Sequence, residues 1–268
     1  MNQMLELRGR WTLITGASSG LGVEIARTIA RDHGGHVLLV ARRRDKLEAL
    51  CEELRVRHGV QAACIAADLS RPEDVERIFT EATQARDIHA VILNAGVTYW
   101  GEAMKLGWSE FQAMLDTNVT SMVRLSSLFM PYLVERGTRG GLLLVSSVAG
   151  LIPVPYQAAY SGTKAFVTSY GQCLGQEVRH TGVSVTVFAP GGIATEMLDR
   201  TGLSNRFKAG DLGVMSPEAC AAHAVRAFMR RKELYVPGLL NQTLALAAKV
   251  LPRGFMAQRT AAIYKPER

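Results

Sequence analysis

Tyr160 and Lys164 stand four residues apart in the stretch "YQAAYSGTKAF" (156–166). Side chains at i and i+4 share one helix face. A free phenol ionises at about 10, too high for ready proton exchange near neutral pH. An ammonium beside it favours the phenolate, so Lys164 is expected to lower the Tyr160 value. The phenol then serves as proton donor and acceptor at working pH. Thirteen residues before Tyr160, the run "LLLVSS" closes on Ser146 and Ser147. A serine hydroxyl at such a strand end can hold a substrate carbonyl oxygen while charge develops on it. Tyr156 lacks a lysine partner and reads as a pocket or core residue. Y-x-x-x-K alone is a weak pattern, because tyrosine and lysine at helical spacing commonly just pack. The serine and an upstream glycine run give it weight.

That run is "LITGASSGLGVEIARTIA" (13–30), a strand, a turn and an amphipathic helix. Gly16, Gly20 and Gly22 form T-G-x-x-x-G-x-G, a variant of the dinucleotide fingerprint. Glycine lets the backbone approach a pyrophosphate, whose oxygens meet the N–H groups at a helix start. Ser18 and Ser19 can add hydroxyl donors. In NAD-binding folds a carboxylate near the end of the second strand bonds the ribose 2′-hydroxyl. Here "VARRRDK" (40–46) has Ala41 in that place, followed by Arg42. Arg42 would pair with a 2′-phosphate, so NADP(H) is expected over NAD(H).

The elements that must hold these groups alternate along the chain. "WTLIT" (11–15), "HVLLVA" (36–41), "AACIAA" (62–67), "AVILNA" (90–95), "GLLLVSS" (141–147), "SVTVFAP" (184–190) and "LYVPG" (234–238) read as strands. Their continuous apolar character suits strands covered on both faces. Helices lie between them. One is expected to start at "SRPED" (70–74), with Ser70 as cap and Glu73 closing a capping box; "SEFQ" (109–112) and "SPEA" (216–219) start others. The alternation predicts an α/β chain: a single Rossmann-type doubly wound domain, with a parallel seven-stranded sheet and helices on both faces.

Composition narrows the partners. The 268 residues carry a net charge of +7, with Lys and Arg scattered. The short Arg42–Arg44 cluster suits an anionic small molecule and not a nucleic acid. Cys51, Cys64, Cys173 and Cys220 lie far apart, so reduced thiols in a cytoplasmic protein are expected, with no metal site. The amino terminus shows no apolar leader, and no run is long enough to span a bilayer.

The chain resembles the short-chain dehydrogenase/reductase family, in its short single-domain branch. The likeness covers residues 8–238 and rests on "TGASSGLG" (15–22), "ADL" (67–69), "LNAG" (93–96), "DTNV" (116–119), "VSS" (145–147), "YSGTK" (160–164) and "PGGIAT" (190–195). It implies that Tyr160 is the general acid in reduction and the base in oxidation. It implies that Lys164 binds the nicotinamide ribose, that Ser147 and not Ser146 orients the substrate carbonyl, and that Asn118 supports a proton relay to Lys164. Gly16, Ser18, Ser19, Gly20, Leu21 and Gly22 would hold the pyrophosphate side. Asp68 and Leu69 would flank the adenine. Asn94, Ala95 and Gly96 would line the cofactor. Pro190, Gly191, Ile193 and Thr195 would enclose the nicotinamide end. Leu93 departs from the family's usual "NNAG" but leaves Asn94 in place.

The expected activity is hydride transfer between NADP(H) and an apolar carbonyl or secondary alcohol. A binding protein without turnover, or a sugar epimerase or dehydratase using the same dyad, are the rival readings. Residues 196–215 are expected to form an apolar substrate lid through Met197, Leu198, Leu203, Phe207 and Met215, joined by Trp100, Met104 and Tyr156. Residues 239–268 are apolar and basic. They are expected to pack on the 1–238 domain or a second subunit, to cover the pocket, or to touch a membrane surface. The resemblance favours a homodimer or homotetramer.

Overall fold

The computed structural model describes residues 4–203, 207, 210, 211 and 213–266, with the side chains of Arg200 and Thr201 outside that description. Seven parallel strands form one sheet. They are β1 (Trp11–Thr15), β2 (His36–Ala41), β3 (Ala62–Ala66), β4 (Ile88–Leu93), β5 (Gly141–Val145), β6 (Ser184–Phe188) and β9 (Leu234–Tyr235). Their spatial order is β3-β2-β1-β4-β5-β6-β9. Two short strands, β7 (Gly192–Ile193) and β8 (Val214–Met215), pair separately. After β3 the chain crosses to the other side of β1, which opens a crevice at the carboxyl ends of β1 and β4.

Alternation along the strands divides the core into two layers. Ile14, Leu39, Leu143 and Phe188 face one cluster with Ile25 of α1 (Gly20–His33), Leu47 of α2 (Arg44–His58) and Val225 of α8 (Pro217–Met229). Their neighbours Leu13, Leu38 and Leu142 face the other. That cluster includes Ile78 of α3 (Pro72–Ala85), Phe129 of α5 (Ser121–Glu135) and Val167 of α6 (Ala158–Glu177). Both faces of the sheet are therefore covered, which explains strands with no polar alternation. The remaining helices are α4 (Trp108–Leu115), α7 (Glu196–Thr201), α9 (Leu239–Val250) and α10 (Arg253–Tyr264).

Two helix starts differ from expectation. Ser70 does not cap α3: Arg71 is the N-cap, and the Ser70 hydroxyl donates to Asp68 Oδ1 at 2.8 Å. With Arg71 at the cap, Asp74 rather than Glu73 stands at N3, and its Oδ2 accepts from Asp68 N at 2.7 Å, while the Ser70 hydroxyl is drawn into a local bond with the Asp68 carboxylate. For α4, Gly107 rather than Ser109 is the N-cap, and Glu110 Oε2 accepts from Gly107 N at 3.4 Å. Since glycine has no side chain, only the returning half of a capping box exists. Ser216 caps α8 as expected, accepting from Ala219 N at 3.2 Å.

Gly150, in the turn after β5, lies against the backbone of α6. A Cβ there would fall 2.5 Å from both the carbonyl carbon and oxygen of Lys164. Substitution must push the turn away from the helix. Gly150→Ala is expected to lose about 1–3 kcal/mol of stability, read from the urea midpoint. An unchanged midpoint contradicts this contact.

Candidate active site

Ser147, Asn118, Tyr160 and Lys164 converge beyond the ends of β4 and β5. Lys164, 3 % exposed, donates from Nζ to Val145 O at 2.8 Å. Nζ also lies 5.8 Å from the centre of the Tyr160 ring. Ser146 and Ser147 part ways at the strand end. The Ser146 hydroxyl donates to Lys164 O at 2.8 Å and lies 2.7 Å from Thr168 Oγ1, so it ties β5 to α6. Ser147 N-caps the following 3-10 turn, accepting from Ala149 N at 3.1 Å and donating to Pro190 O at 3.4 Å, and its hydroxyl is near enough to the Tyr160 phenol to lower the value at which it ionises. Asn118 sits in a π-helical turn, Asp116–Thr120, between α4 and α5. Such turns rotate side chains out of the regular helical register. The Asn118 carboxamide accepts from Val97 N at 2.8 Å and donates to Val97 O at 2.9 Å and Thr163 Oγ1 at 3.1 Å. It thereby pins the loop after β4 to α6.

The electrostatics reverse one expectation. Burial pushes the Tyr160 phenol up to about 12; the Ser147 hydroxyl partly opposes this, and nearby Tyr264 adds to it. Burial also pulls Lys164 down to about 8. Helical spacing delivers the ammonium to the ring as expected. The phenol is nonetheless raised, because removal from water disfavours the phenolate more than the Ser147 hydroxyl favours it.

The glycine turn closes tightly on β4. Gly16 and Gly20 have φ of 69° and 56°, in the left-handed region. A Cβ at Gly22 would lie 2.3 Å from Gly16 O, and one at Gly16 2.8 Å from Ala95 Cα. Asn94 Nδ2 donates to Thr15 O at 3.0 Å, while Thr15 Oγ1 accepts from Asn94 N at 3.0 Å and Ala95 N at 3.1 Å. A Cβ at Gly96 would lie 3.3 Å from Lys164 Nζ and 3.4 Å from Asn118 Oδ1. Ser19 is the N-cap of α1 and makes no side-chain cap bond. A backbone cradle at a helix start, with small residues at every point of close approach, fits a dinucleotide pyrophosphate.

Basic groups stand at the end of β2. Arg42 is exposed and pairs with Asp68 at 3.9 Å. Arg43, which sequence reasoning passed over, folds onto the glycine turn. It donates to Ser18 Oγ at 3.1 Å from Nη2 and 3.2 Å from Nε, and to Glu196 Oε2 at 3.2 Å from Nη1. The arginine run was the only signal for it. Asp68 accepts from Ser70 N at 3.0 Å as well as the Ser70 hydroxyl. The side chains of Leu21 and Leu69 are buried in the core.

The loop after β6 completes the crevice. Pro190 O accepts from Val148 N at 2.8 Å, and a Cβ at Gly191 would lie 2.6 Å from the Asn241 side chain of α9. A Cβ at Gly20 would lie 2.9 Å from Thr195 Cγ2, so Thr195 abuts the glycine turn. Ile193 and Met215 pack against the core rather than standing free. Met104 is 95 % exposed and does not line the pocket, because the turn it occupies, Ala103–Lys105, projects into solvent. Leu203 is buried, and Phe207 lies beside Tyr264. Residues 204–206, 208, 209 and 212 of the expected lid lie outside the described residues. Among the described residues there is no cluster suited to a metal ion and no helix long and apolar enough to cross a membrane.

A doubly wound sheet with a tyrosine–lysine pair beside a glycine cradle defines a class of nucleotide-dependent proteins. The short chain dehydrogenase family model matches residues 10–205. The chain belongs to the short-chain dehydrogenase family. It is 37 % identical over 195 residues to an uncharacterized oxidoreductase of Myxococcus xanthus, covering 72 % of this chain and 76 % of that one. It is 32 % identical to the very-long-chain 3-oxoacyl-CoA reductase of Homo sapiens over 70 % of this chain, a match that spans 61 % of the human protein. Among solved structures, a short-chain dehydrogenase from Sphingobium yanoikuyae in complex with NADPH superimposes with a TM-score of 0.81 at 29 % identity, covering 97 % of this chain and 96 % of that one.

Lys164 makes stability depend on pH in a defined direction. Below pH 8 it is protonated folded and unfolded. Between its folded value of about 8 and its ordinary 10.5, the unfolded chain binds more protons, so stability rises with pH. The Tyr160 contribution falls only above its ordinary 10, toward about 12. Relative to Lys164→Met, the parent protein should gain stability from pH 8 to pH 10 in urea titrations. A parallel pair of curves contradicts the burial of this ammonium.

Proposed function

We propose that the protein is an NADP(H)-dependent oxidoreductase that interconverts an apolar ketone and its secondary alcohol. The carrying observation is the meeting of the Ser147 hydroxyl, the Tyr160 phenol and the Lys164 ammonium at one end of β5, beside the glycine cradle. The bound nicotinamide supplies the hydride in such chemistry. The chain supplies the rest. Ser147 orients the substrate oxygen, and Tyr160, protonated at neutral pH, gives its proton to that oxygen in reduction and takes it back in oxidation. Lys164, still largely cationic at neutral pH with a value of about 8, binds the nicotinamide ribose and stabilises the phenolate that remains. Asn118, by fixing Val97 and Thr163, holds the relay side of the site in place.

Arg42 and Arg43 favour a 2′-phosphate, in keeping with the NADPH complex of the similar Sphingobium yanoikuyae enzyme. The oxoacyl reductase named among the relatives supports a carbonyl substrate with an apolar chain. Cytoplasmic residence rests on the scattered thiols. A homodimer or homotetramer would bury exposed Phe166, stacked on Tyr170 of α6 at 5.9 Å. Exposed Leu246, Val250 and Phe255, flanked by Lys249, Arg253 and Arg259, suit peripheral contact with an anionic membrane surface.

Tyr160→Phe should bind NADPH with unchanged affinity yet reduce none of a panel of apolar ketones, followed by NADPH absorbance. Retained turnover contradicts the proton role, and absence of turnover in the parent protein favours a pure binding protein. The double variant Arg42→Ala, Arg43→Ala should weaken NADPH by at least about tenfold and leave NADH unchanged. Equal losses for both cofactors contradict the phosphate assignment.

A further inference from the structure

Helix α10 lies against the turn that follows Ser147. Met256, Thr260 and Tyr264 recur every four residues and so share one helix face. Met256 and Tyr264 pack with Val148, Ile152 and Val154, and the Thr260 hydroxyl donates to Pro153 O at 2.7 Å. Phe255 and Ile263, beside this face, are about half exposed. The end of α10 is fastened from a second direction. Trp100 Nε1, in the loop after β4, donates to Tyr264 O at 2.7 Å. The Tyr264 ring lies 5.2 Å from that of Phe207, in the segment after β6, and a Cβ at Gly202 would be 3.6 Å from the Trp100 ring. Three segments distant in sequence thus meet at Tyr264. Tyr264 is half-buried, and its phenol lies within electrostatic reach of Tyr160.

We propose that α10 roofs the substrate seat and that Tyr264, with Trp100 and Phe207, is the specificity-determining wall for a flat apolar group carried by the ketone. This rests on the oxidoreductase reading above and names its substrate class: uncharged ketones bearing an aromatic or fused-ring substituent. Three aromatic residues meeting at one point offer stacking and edge contacts that a small aliphatic ketone does not use. The Thr260 and Trp100 hydrogen bonds are the two points that must hold for the roof to stay shut.

The test uses acetone, acetophenone and 2-acetylnaphthalene as probes with the full chain. The preference in kcat/KM for 2-acetylnaphthalene over acetone should fall at least about tenfold in Tyr264→Ala, equivalent to ~1.4 kcal/mol. The loss should lie in KM, with NADPH affinity within about twofold of the parent by the same arithmetic. Tyr264→Phe should retain the preference, since it keeps the ring. An unchanged preference in Tyr264→Ala overturns the proposal. A readout free of turnover separates this from failure of the catalytic reading. Binding of 2-acetylnaphthalene to the NADP+ complex, followed by tryptophan fluorescence, should weaken by the same factor in Tyr264→Ala. It should also slow amide hydrogen exchange across residues 253–264 of the parent. If binding behaves so while turnover is absent, the roof stands and the proton chemistry falls. If the parent binds none of the probes, the roof falls.

Discussion

The hydrogen bond from Lys164 Nζ to Val145 O, 2.8 Å long, joins the middle of α6 to the last residue of β5. An ammonium removed from water is costly unless its donors are met. A strand-end carbonyl meets one of them here, and with it the face of α6 that carries Tyr160 is held at the carboxyl end of β5. Ser146 reinforces the same junction through Lys164 O, which frees Ser147, one residue on, to face the phenol. Gly150 and Gly96 then make sense as absences of side chain: one lets the turn touch the backbone of Lys164, the other leaves room beside its ammonium.

Function follows from what this junction places in one crevice. On one side is a backbone cradle closed by Thr15 and Asn94. On the other is a proton-bearing phenol with a serine hydroxyl against it. Burial disfavours the phenolate, so this group is protonated near neutral pH, as the proposed reduction requires. The π-helical turn at Asn118 and the left-handed Tyr156, with φ of 65°, are local departures from regular backbone on two sides of the same crevice. Gly101 N donates to Tyr156 O at 2.8 Å, so the turn before α6 is held by the loop that also carries Trp100.

Much of this frame is legible in the residues. Continuous apolar runs mark strands covered on both faces, and all seven sheet strands fall within or beside the expected runs. The Tyr160–Lys164 spacing delivers proximity because helical geometry is local. What the spacing does not carry is solvent exposure, which depends on Tyr264 and the turn after β5, far away in sequence; hence the reversed direction at Tyr160. Ser70 misled because a cap pattern says nothing of a competing carboxylate two residues upstream. Arg43 was hidden behind Arg42, since a run of arginines does not reveal which side chain turns inward. The placement of α10 had only the apolar and basic composition of residues 239–268 to announce it, which leaves packing on the domain or a second subunit, a pocket cover and a lipid surface all open.

The most direct test of the account is the ionisation of Tyr160 in the intact chain, followed by the ring-carbon NMR shift of labelled tyrosine, with Tyr160→Phe identifying the signal. The account predicts that this phenol stays protonated well beyond 10 and titrates toward about 12. Titration at or below 10 would mean that the ammonium outweighs burial, and would contradict it.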